Sequence, residues 1–265
     1  MPFTLSHPAA VLPLARRPLV PSALVAGSIA PDVFWFVPRL LPDVGLSRTH
    51  EFASALWLDP LIALVLLAGF HVLLKRPLLA LAPRPLAERL PRHFGWRRPG
   101  WIALSLVLGA LTHVGWDAFT HESGGFAFLR IPLVTGVDVG RLIQLVSTIA
   151  GAAVLAWWLV RWYRRAPTEP APPPSRHRGL VTAFLAVGAL TGAAVQVLPF
   201  LAGHDPMTPA GVFGNATYLV VTGAGSGFLG ALVLHALAWH ARYRSLYAKR
   251  ATPEGDPFDA EELRR

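Results

Sequence analysis

The chain contains no cysteine among its 265 residues. Disulfides, thiolate nucleophiles and cysteine-ligated zinc or iron–sulfur sites are therefore excluded. A metal site in this chain would have to use histidine and carboxylate ligands. Charge is scarce as well, because only 15% of the residues are charged, against about 25% in a typical soluble domain. This deficit argues against a water-soluble globular protein.

Long apolar runs take the place of the missing charges. Hydrophobic residues make up 53% of the chain, and its mean hydropathy is +0.46. A helix that spans a membrane needs about 20 predominantly apolar residues. We therefore predict an all-α fold, a polytopic membrane helical bundle with five to six spanning helices. The five main runs are 52–74, 101–116 with a helix continuing towards residue 121, 142–160, 180–201 and 218–240.

The basic residues lie between these runs and alternate in density. Segment 75–99 holds seven lysines and arginines and 161–179 holds five, whereas 117–141 holds two and 202–216 holds none. Cytoplasmic loops carry the excess of lysine and arginine, so 75–99, 161–179 and the C terminus are predicted inside. The predicted partners are membrane lipids, with anionic cytoplasmic-leaflet lipids bound through the basic loops. The net charge of +9 does not indicate a nucleic-acid partner, because the cations are confined to these loops.

A sixth apolar run, 19–37, leaves the topology open because Pro21, Pro31 and Asp32 interrupt it. If it crosses the membrane, Arg16 and Arg17 lie inside and the chain has six spans. If it is a re-entrant N-terminal segment, all of 1–51 lies outside and the chain has five. The predicted organisation is a membrane half at 1–160, a basic, proline-rich cytoplasmic linker at 161–179, two further spans at 180–245 and a disordered cytoplasmic tail at 246–265.

The stretch LTHVGWDAFTH, residues 111–121, is the most informative motif. Its polar residues His113, Asp117 and His121 recur every four positions. At 3.6 residues per turn they share one helix face, where two imidazoles and a carboxylate could converge on a cation. The alternative is a helix end at the membrane interface, where such residues meet water and headgroups.

Two further polar residues extend this pattern. Asp32 ends the broken run in GSIAPD, and His50 stands in SRTH just before a predicted span. In the six-span topology both lie on the predicted outer side, with Asp117. We therefore predict that Asp32, His50, His113 and Asp117 form one metal site near the outer face. Read separately, Asp32 is a turn aspartate after proline and His50 is a helix-flanking histidine.

His7, in the tripeptide Ser6-His7-Pro8, can join this site only in the re-entrant topology. Its local alternative is a position beside a helix start, with Ser6 as the cap. Late in the chain, the glycine-rich stretch 222–227 lacks the lysine and the preceding strand of a phosphate loop. It predicts close packing between membrane helices.

Four sequence elements together resemble a known family. They are the opening MPFTLSHPAAVLPL, GSIAPD, the Ser-Arg-Thr-His element at 47–50 and LGALTHVGWDAFTH. This combination is similar to the bacterial membrane proteins grouped as domain of unknown function number 4184, by motif over 1–160 and by hydropathy beyond. The family implies a multi-pass protein of the cell membrane and carries no established activity.

A more distant similarity is to membrane-bound metal-dependent hydrolases and to zinc-dependent phospholipase C. The shared feature is the order His, Asp, His, H-x-x-x-D. This likeness implies that His7, Asp32, His50, His113 and Asp117 are ligands, with Asp117 bridging two metals. The later H-x-x-x-E pair of the phospholipases is absent from this chain, which implies either a smaller site than their three-metal arrangement or a decayed one.

The functional hypothesis is a metal-dependent hydrolase of a phosphoester, such as a lipid or lipid-linked phosphate, at the outer face. A divalent metal, with Zn²⁺ as the first choice, would activate water there. Its ligands would be Asp32, His50, His113 and Asp117, with His7 and His121 as further candidates, and no separate catalytic residue is assigned. The alternative is a non-enzymatic, transporter-like or accessory bundle whose polar cluster binds an ion or a partner.

Overall fold

The computed structural model describes residues 4–36, 48–91, 94–120, 131–134, 137–170, 175–203 and 209–250. Five of its helices are long and apolar enough to cross a membrane. They confirm the predicted all-α helical bundle and a membrane protein. These candidate spans are Leu58–Leu81, Pro99–Phe119, Val139–Arg165, Arg178–Ala202 and Gly214–Arg242.

The described residues include nine α-helices, several 3-10 turns and one small antiparallel strand pair. The first candidate span consists of two α-helices joined by a π-helical turn, Gly69–Leu74. Strands β1 (Pro132–Val134) and β2 (Val137–Asp138) pair antiparallel before the third span. The helices are α1 (Pro8–Val11), α2 (Pro21–Ile29), α3 (Leu58–Ala68), α4 (Lys75–Leu81), α5 (Arg84–Ala87), α6 (Pro99–Thr120), α7 (Val139–Arg165), α8 (Arg178–Ala202) and α9 (Pro209–Arg250).

The first span was predicted at 52–74, and these boundaries are wrong. The helix begins at Leu58, because residues before it form the 3-10 turns Arg48–His50 and Ser54–Leu56. The Ser54 hydroxyl lies 2.9 Å from the Asp59 carboxylate and closes the second turn against the helix start. At its far end the helix continues to Leu81, just before the helix-breaking Pro83.

The other predicted runs lie inside longer helices. A spanning helix continues past its apolar run into polar flanks, where its backbone hydrogen bonds are still made. At the start of α7, for example, Asp138 caps the helix and accepts a 2.7 Å hydrogen bond from Arg141 N. Helix α9 continues to Arg250, into the segment predicted as a disordered tail, and residues 251–265 lie outside the described residues.

Helix α2 runs beside α6 in the same direction, with almost no side-chain layer between their backbones. Val20 N donates to Ser105 Oγ at 2.9 Å near one end, and His113 Nδ1 donates to Ser28 O at 2.7 Å near the other. At the crossing a Cβ atom on Gly27 would overlap Leu106 O, and one on Gly109 would overlap Leu24 O. Only glycine permits this approach, which holds the end of α2 and the turn after it against α6.

The N-terminal segment folds back along α6. His7 lies 3.5 Å from Asp117 near the end of α6, whereas Pro18 borders a groove with Arg97 and Trp101 at its start. The chain therefore passes along α6 in one direction before α2 and returns in the other. This places His7 at the site, as the re-entrant topology predicted. It also places Arg17, next to Pro18, near Arg97, on the side that the six-span topology assigned to it.

The three basic segments lie together at the opposite end of the bundle from His7. Arg89 Nε donates to Tyr163 O at 2.9 Å, which joins 75–99 to the end of α7. His240 Nε2 lies 3.0 Å from Leu73 O, which brings the end of α9 to the same end of the bundle. One shared end for these cations is the arrangement that the positive-inside pattern requires.

Helices α8 and α9 pack closely through glycines. A Cβ on Gly192 would overlap Gly223 O, and one on Gly227 would overlap Gly188 O. Thr222 Oγ1 lies 3.0 Å from Gln196 Oε1 across the same interface. The prediction of small-residue helix packing at 222–227 is confirmed.

We expect Gly27→Ala and Gly109→Ala to destabilise the protein, because each added methyl meets backbone atoms that cannot rotate away. Overpacking of this kind costs about 1–3 kcal/mol, which is roughly 2–12 °C of unfolding midpoint for a chain of this size. Thermal unfolding in detergent measures the midpoint. The matched control is Gly115→Ala on the same helix, where nothing lies within 4 Å of the new Cβ. Equal midpoints for Gly109→Ala and Gly115→Ala would contradict the close crossing.

The natural absence of cysteine allows the topology to be tested with single cysteines. We expect Leu90→Cys and Thr168→Cys to react with a membrane-impermeant maleimide only after the cells are permeabilised. Thr208→Cys and Pro2→Cys should react in intact cells, because the fold-back returns the chain at His7 to the end of the bundle that the charge pattern predicts to be outside. Labelling of Pro2→Cys only after permeabilisation would show that the N-terminal segment crosses once.

Candidate metal centre

Four side chains from three separate segments converge at the end of the bundle opposite the basic loops. Asp32 lies in the 3-10 turn Ala30–Trp35 after α2, His50 ends the turn Arg48–His50, and His113 and Asp117 lie one turn apart on α6. One potential ligand atom from each of these residues lies within 4.8 Å of the others. This group could hold a metal ion.

The nitrogen–oxygen distances in the group fall in a narrow range. Asp32 Oδ1 lies 3.3 Å from His50 Nε2 and 3.6 Å from His113 Nε2. Asp117 Oδ2 lies 3.5 Å from His50 Nε2 and 3.3 Å from His113 Nε2. Direct N–H···O hydrogen bonds are shorter, about 2.7–3.2 Å. Four ligands placed tetrahedrally at about 2.0–2.2 Å from a zinc ion would stand roughly 3.3–3.6 Å apart, so the spacing fits a shared cation.

Hydrogen bonds from residues around the cluster orient its ligand atoms towards the shared centre. His113 Nδ1 donates to Ser28 O at 2.7 Å, so Nδ1 is protonated and the ring is held with Nε2 facing Asp117. Thr4 Oγ1 donates to Asp32 Oδ2 at 2.7 Å, which leaves Oδ1 directed at the histidines. Partners of this kind set the tautomer and orientation of metal ligands in proteins.

His50 is oriented by its neighbour in the chain. Thr49 Oγ1 donates its one proton to Pro31 O at 2.9 Å, within a fully buried contact. His50 Nδ1 lies 3.3 Å from the same hydroxyl and is therefore the donor there. Nε2 of His50 therefore faces the two carboxylates, as Nε2 of His113 does.

The cluster is buried, with one exposed edge. Asp32 and His113 are fully buried, Asp117 is 3% exposed, and the His50 side chain is 19% exposed. Two carboxylates in such a place carry a large desolvation cost unless positive charge accompanies them. A divalent cation held among them would supply that charge, and the side of His50 is the route by which it or a substrate would arrive.

Asp32 and His7 lie outside the candidate spans. Burial disfavours ionisation of Asp32, but its interactions with His113 and His50 outweigh this and hold the pKa of its carboxyl well below its usual range. Burial, together with the neighbouring His113, lowers the pKa of His7 to about 4 against the attraction of Asp117. Near pH 7 the carboxyl is therefore ionised and the imidazole neutral, and these are the forms that bind metals.

His7 lies beside the four-residue group and outside its shared centre. Its ring stacks on His113 with centroids 3.8 Å apart, and its Nε2 lies 3.5 Å from Asp117 Oδ1. Asp117 therefore presents one oxygen to His7 and the other to His50 and His113. The sixth predicted ligand, His121, lies outside the described residues.

Sequence reasoning missed three residues near the site. Thr4 and Thr49 orient the ligands Asp32 and His50 through their hydroxyls. Asp59 is fully buried at the start of α3, accepts a hydrogen bond from Ser54, and interacts electrostatically with His50 and His113. A carboxylate inside the apolar run 52–74 was the available signal for Asp59. The two threonines carried none, because their partners are 18 or more positions away.

We expect Thr49→Val to destabilise the protein, since it keeps the shape but leaves the buried Pro31 carbonyl without its donor. The cost of an unsatisfied buried group is about 1–3 kcal/mol. Thermal unfolding in detergent measures it. The control is Thr182→Val, whose hydroxyl bonds within its own exposed helix turn. Equal decreases of the unfolding midpoint in the two variants would mean that the Thr49–Pro31 hydrogen bond does not hold the turns together.

Comparisons with known proteins identify a family but no characterised relative. No curated protein and no solved structure matches this chain. One family model, described as Domain of unknown function (DUF4184), matches residues 1–237. The match covers the metal-site residues and all but the last turns of α9. The chain therefore belongs to the family Domain of unknown function (DUF4184).

Proposed function

We propose that this protein is a metal-dependent hydrolase that cleaves a phosphoester on a lipid or lipid-linked substrate at the outer face of the cell membrane. The observation that carries the proposal is the convergence of Asp32, His50, His113 and Asp117, with nitrogen–oxygen spacings of 3.3–3.6 Å. A purely structural role would favour direct hydrogen bonds between these groups. The buried cluster instead has the donors and the spacing of a cation site.

The donor set favours zinc among the common divalent ions. Two imidazoles and two carboxylates suit Zn²⁺, whereas Mg²⁺ prefers oxygen ligands in octahedral geometry. A zinc ion bound there would act as a Lewis acid, and with one further coordination position left for water it would lower the pKa of that water into the neutral range. The protein contributes the fixed orientation of its ligands, through Ser28, Thr4 and Thr49, and the exclusion of bulk water by burial. His7 is a further potential ligand, because its Nε2 lies 3.5 Å from Asp117 Oδ1.

The surroundings of the exposed edge support a lipid-borne substrate. Phe52, Leu56 and Trp57, which come after His50 in the chain, are 59%, 62% and 60% exposed. Trp116 and Phe119, which flank Asp117 in the sequence, are 42% and 46% exposed. Aromatic side chains of this kind occupy the membrane–water interface. A phosphoester carried on a bilayer lipid would meet the site at this level.

The alternative is a non-enzymatic bundle that binds an ion for transport or assembly. The N-terminal fold-back favours it, because interrupted helices beside polar residues mark ion sites in transporters. Under this alternative the same four ligands hold a cation, and no substrate is cleaved.

Metal content tests both proposals. We expect the purified protein to retain about one zinc per chain, because four buried side chains offer ligand atoms to it, and Asp32→Ala and His113→Ala to lose it. His177→Ala, an exposed linker histidine, is the matched control and should retain it. Inductively coupled plasma mass spectrometry gives the stoichiometry, and gel filtration shows whether each variant is folded. Metal-free parent protein after purification without chelator at neutral pH would rule out the metal site.

Activity then separates the two functions. The zinc-loaded parent is assayed on phosphatidic acid, a lipid diphosphate and soluble p-nitrophenyl phosphate. The hydrolase proposal expects phosphate release from a lipid substrate that is abolished in His113→Ala and unchanged in His177→Ala. Bound zinc without hydrolysis of any of these substrates would favour the ion-binding alternative.

A further inference from the structure

We propose that a groove at the start of α6 binds an anionic phospholipid of the leaflet that faces the basic loops. The groove lies between the turn at Pro18, where the N-terminal segment reverses, and the first turns of α6. Its volume is about 640 Å³, within the range of about 300–1,000 Å³ typical of ligand pockets. It is at the opposite end of α6 from the metal-site residues.

The charge of the groove indicates an anionic ligand. Arg97 and Arg98 line it, and Arg17 precedes Pro18 at its edge. All three are exposed, and neither Arg97 nor Arg98 forms an ion pair within the described ranges. Guanidinium groups bind phosphate oxygens with paired donors, so two adjacent arginines provide a phosphate site.

The apolar part of the groove indicates that the phosphate belongs to a lipid. Trp101 and Leu104 continue the lining from the arginines along α6 and are 41% and 43% exposed. They are three positions apart on a helix and therefore share a face. Trp96, just before the arginines, is 43% exposed and adds a further interfacial aromatic residue. A lipid whose headgroup binds Arg97 and Arg98 would thus place its acyl chain along Trp101 and Leu104, directed towards the membrane interior.

The order of these features along α6 distinguishes a specific site from general attraction to the bilayer. The exposed pair Arg164 and Arg165 at the end of α7 lies in another basic segment but does not line this groove. If charge alone bound lipid, the two arginine pairs would be equivalent. Because only Arg97 and Arg98 line the groove, the proposal predicts that they contribute more to lipid binding than Arg164 and Arg165 do.

Native mass spectrometry of the full chain in detergent, titrated with phosphatidylglycerol and phosphatidylcholine, tests the proposal. We expect the parent to bind phosphatidylglycerol more tightly than phosphatidylcholine. The double variant Arg97→Gln/Arg98→Gln should bind phosphatidylglycerol roughly thirtyfold more weakly, because two near-surface cations are lost. Arg164→Gln/Arg165→Gln makes the same change in charge and should bind within about twofold of the parent. Trp101→Ala keeps the charge and should also weaken binding, because the acyl chain loses its contact.

Three results would overturn the proposal. The first is an equal loss of phosphatidylglycerol binding in the two arginine variants, and the second is equal binding of the two lipids by the parent. The third is competition by soluble glycerol 3-phosphate at the concentrations used for the lipids. The last would assign the groove to a free phosphate compound. Zinc content, measured on the same samples, should be unchanged in Arg97→Gln/Arg98→Gln, so failure here is distinguishable from failure of the hydrolase proposal.

Discussion

Two carboxylates, Asp32 and Asp117, are buried within a few ångströms of the same imidazoles in a protein built largely of lipid-compatible helices. This burial is the constraint on which the rest of the architecture depends, because a buried anion is costly unless cations and hydrogen bonds accompany it. The fold supplies the hydrogen bonds, and a bound divalent ion would supply the positive charge. Three imidazoles face the carboxylates, and Thr4, Ser28 and Thr49 hold the ligands from behind. The spacing that remains between the ligand atoms suits a divalent ion.

The glycine crossing of α2 and α6 makes this gathering possible. Without side chains at Gly27 and Gly109, the two backbones approach closely enough for Ser28 to bond His113 and for Asp32 to reach the same point. The N-terminal fold-back then returns His7 to the ring face of His113. A bundle with larger residues at this crossing would hold α2 away from α6, and the cluster would open. The geometry of the cluster at one end of α6 therefore depends on packing at its middle.

The two ends of α6 differ in chemistry. One end carries the buried acidic and imidazole groups with an aromatic rim, and the other carries exposed arginines beside an apolar groove. A helix placed across a bilayer would present each set to a different leaflet. This polarity agrees with the charge pattern along the whole chain, in which Arg89 and His240 bring the basic segments to the arginine end. It separates a proposed catalytic face from a proposed lipid-anchoring face within one helix.

The sequence by itself determined the five apolar runs that form the candidate spans, the alternation of basic and non-basic loops between them, and the choice of the four residues at the centre of the cluster. It left open whether run 19–37 adds a sixth span. Hydropathy, which accumulates over about 20 residues, and the i, i+4 spacing that places His113 and Asp117 on one face are local properties. Asp32 and His50 were assigned to the same site from the side of the membrane on which they were predicted to lie. Only the tertiary structure decided that His7 joins the cluster, that the first span begins at Leu58, and that Asp59 lies near the site. Each of these depends on contacts between residues far apart in the chain, chiefly the close crossing at Gly27 and Gly109, and no local pattern encodes such a contact.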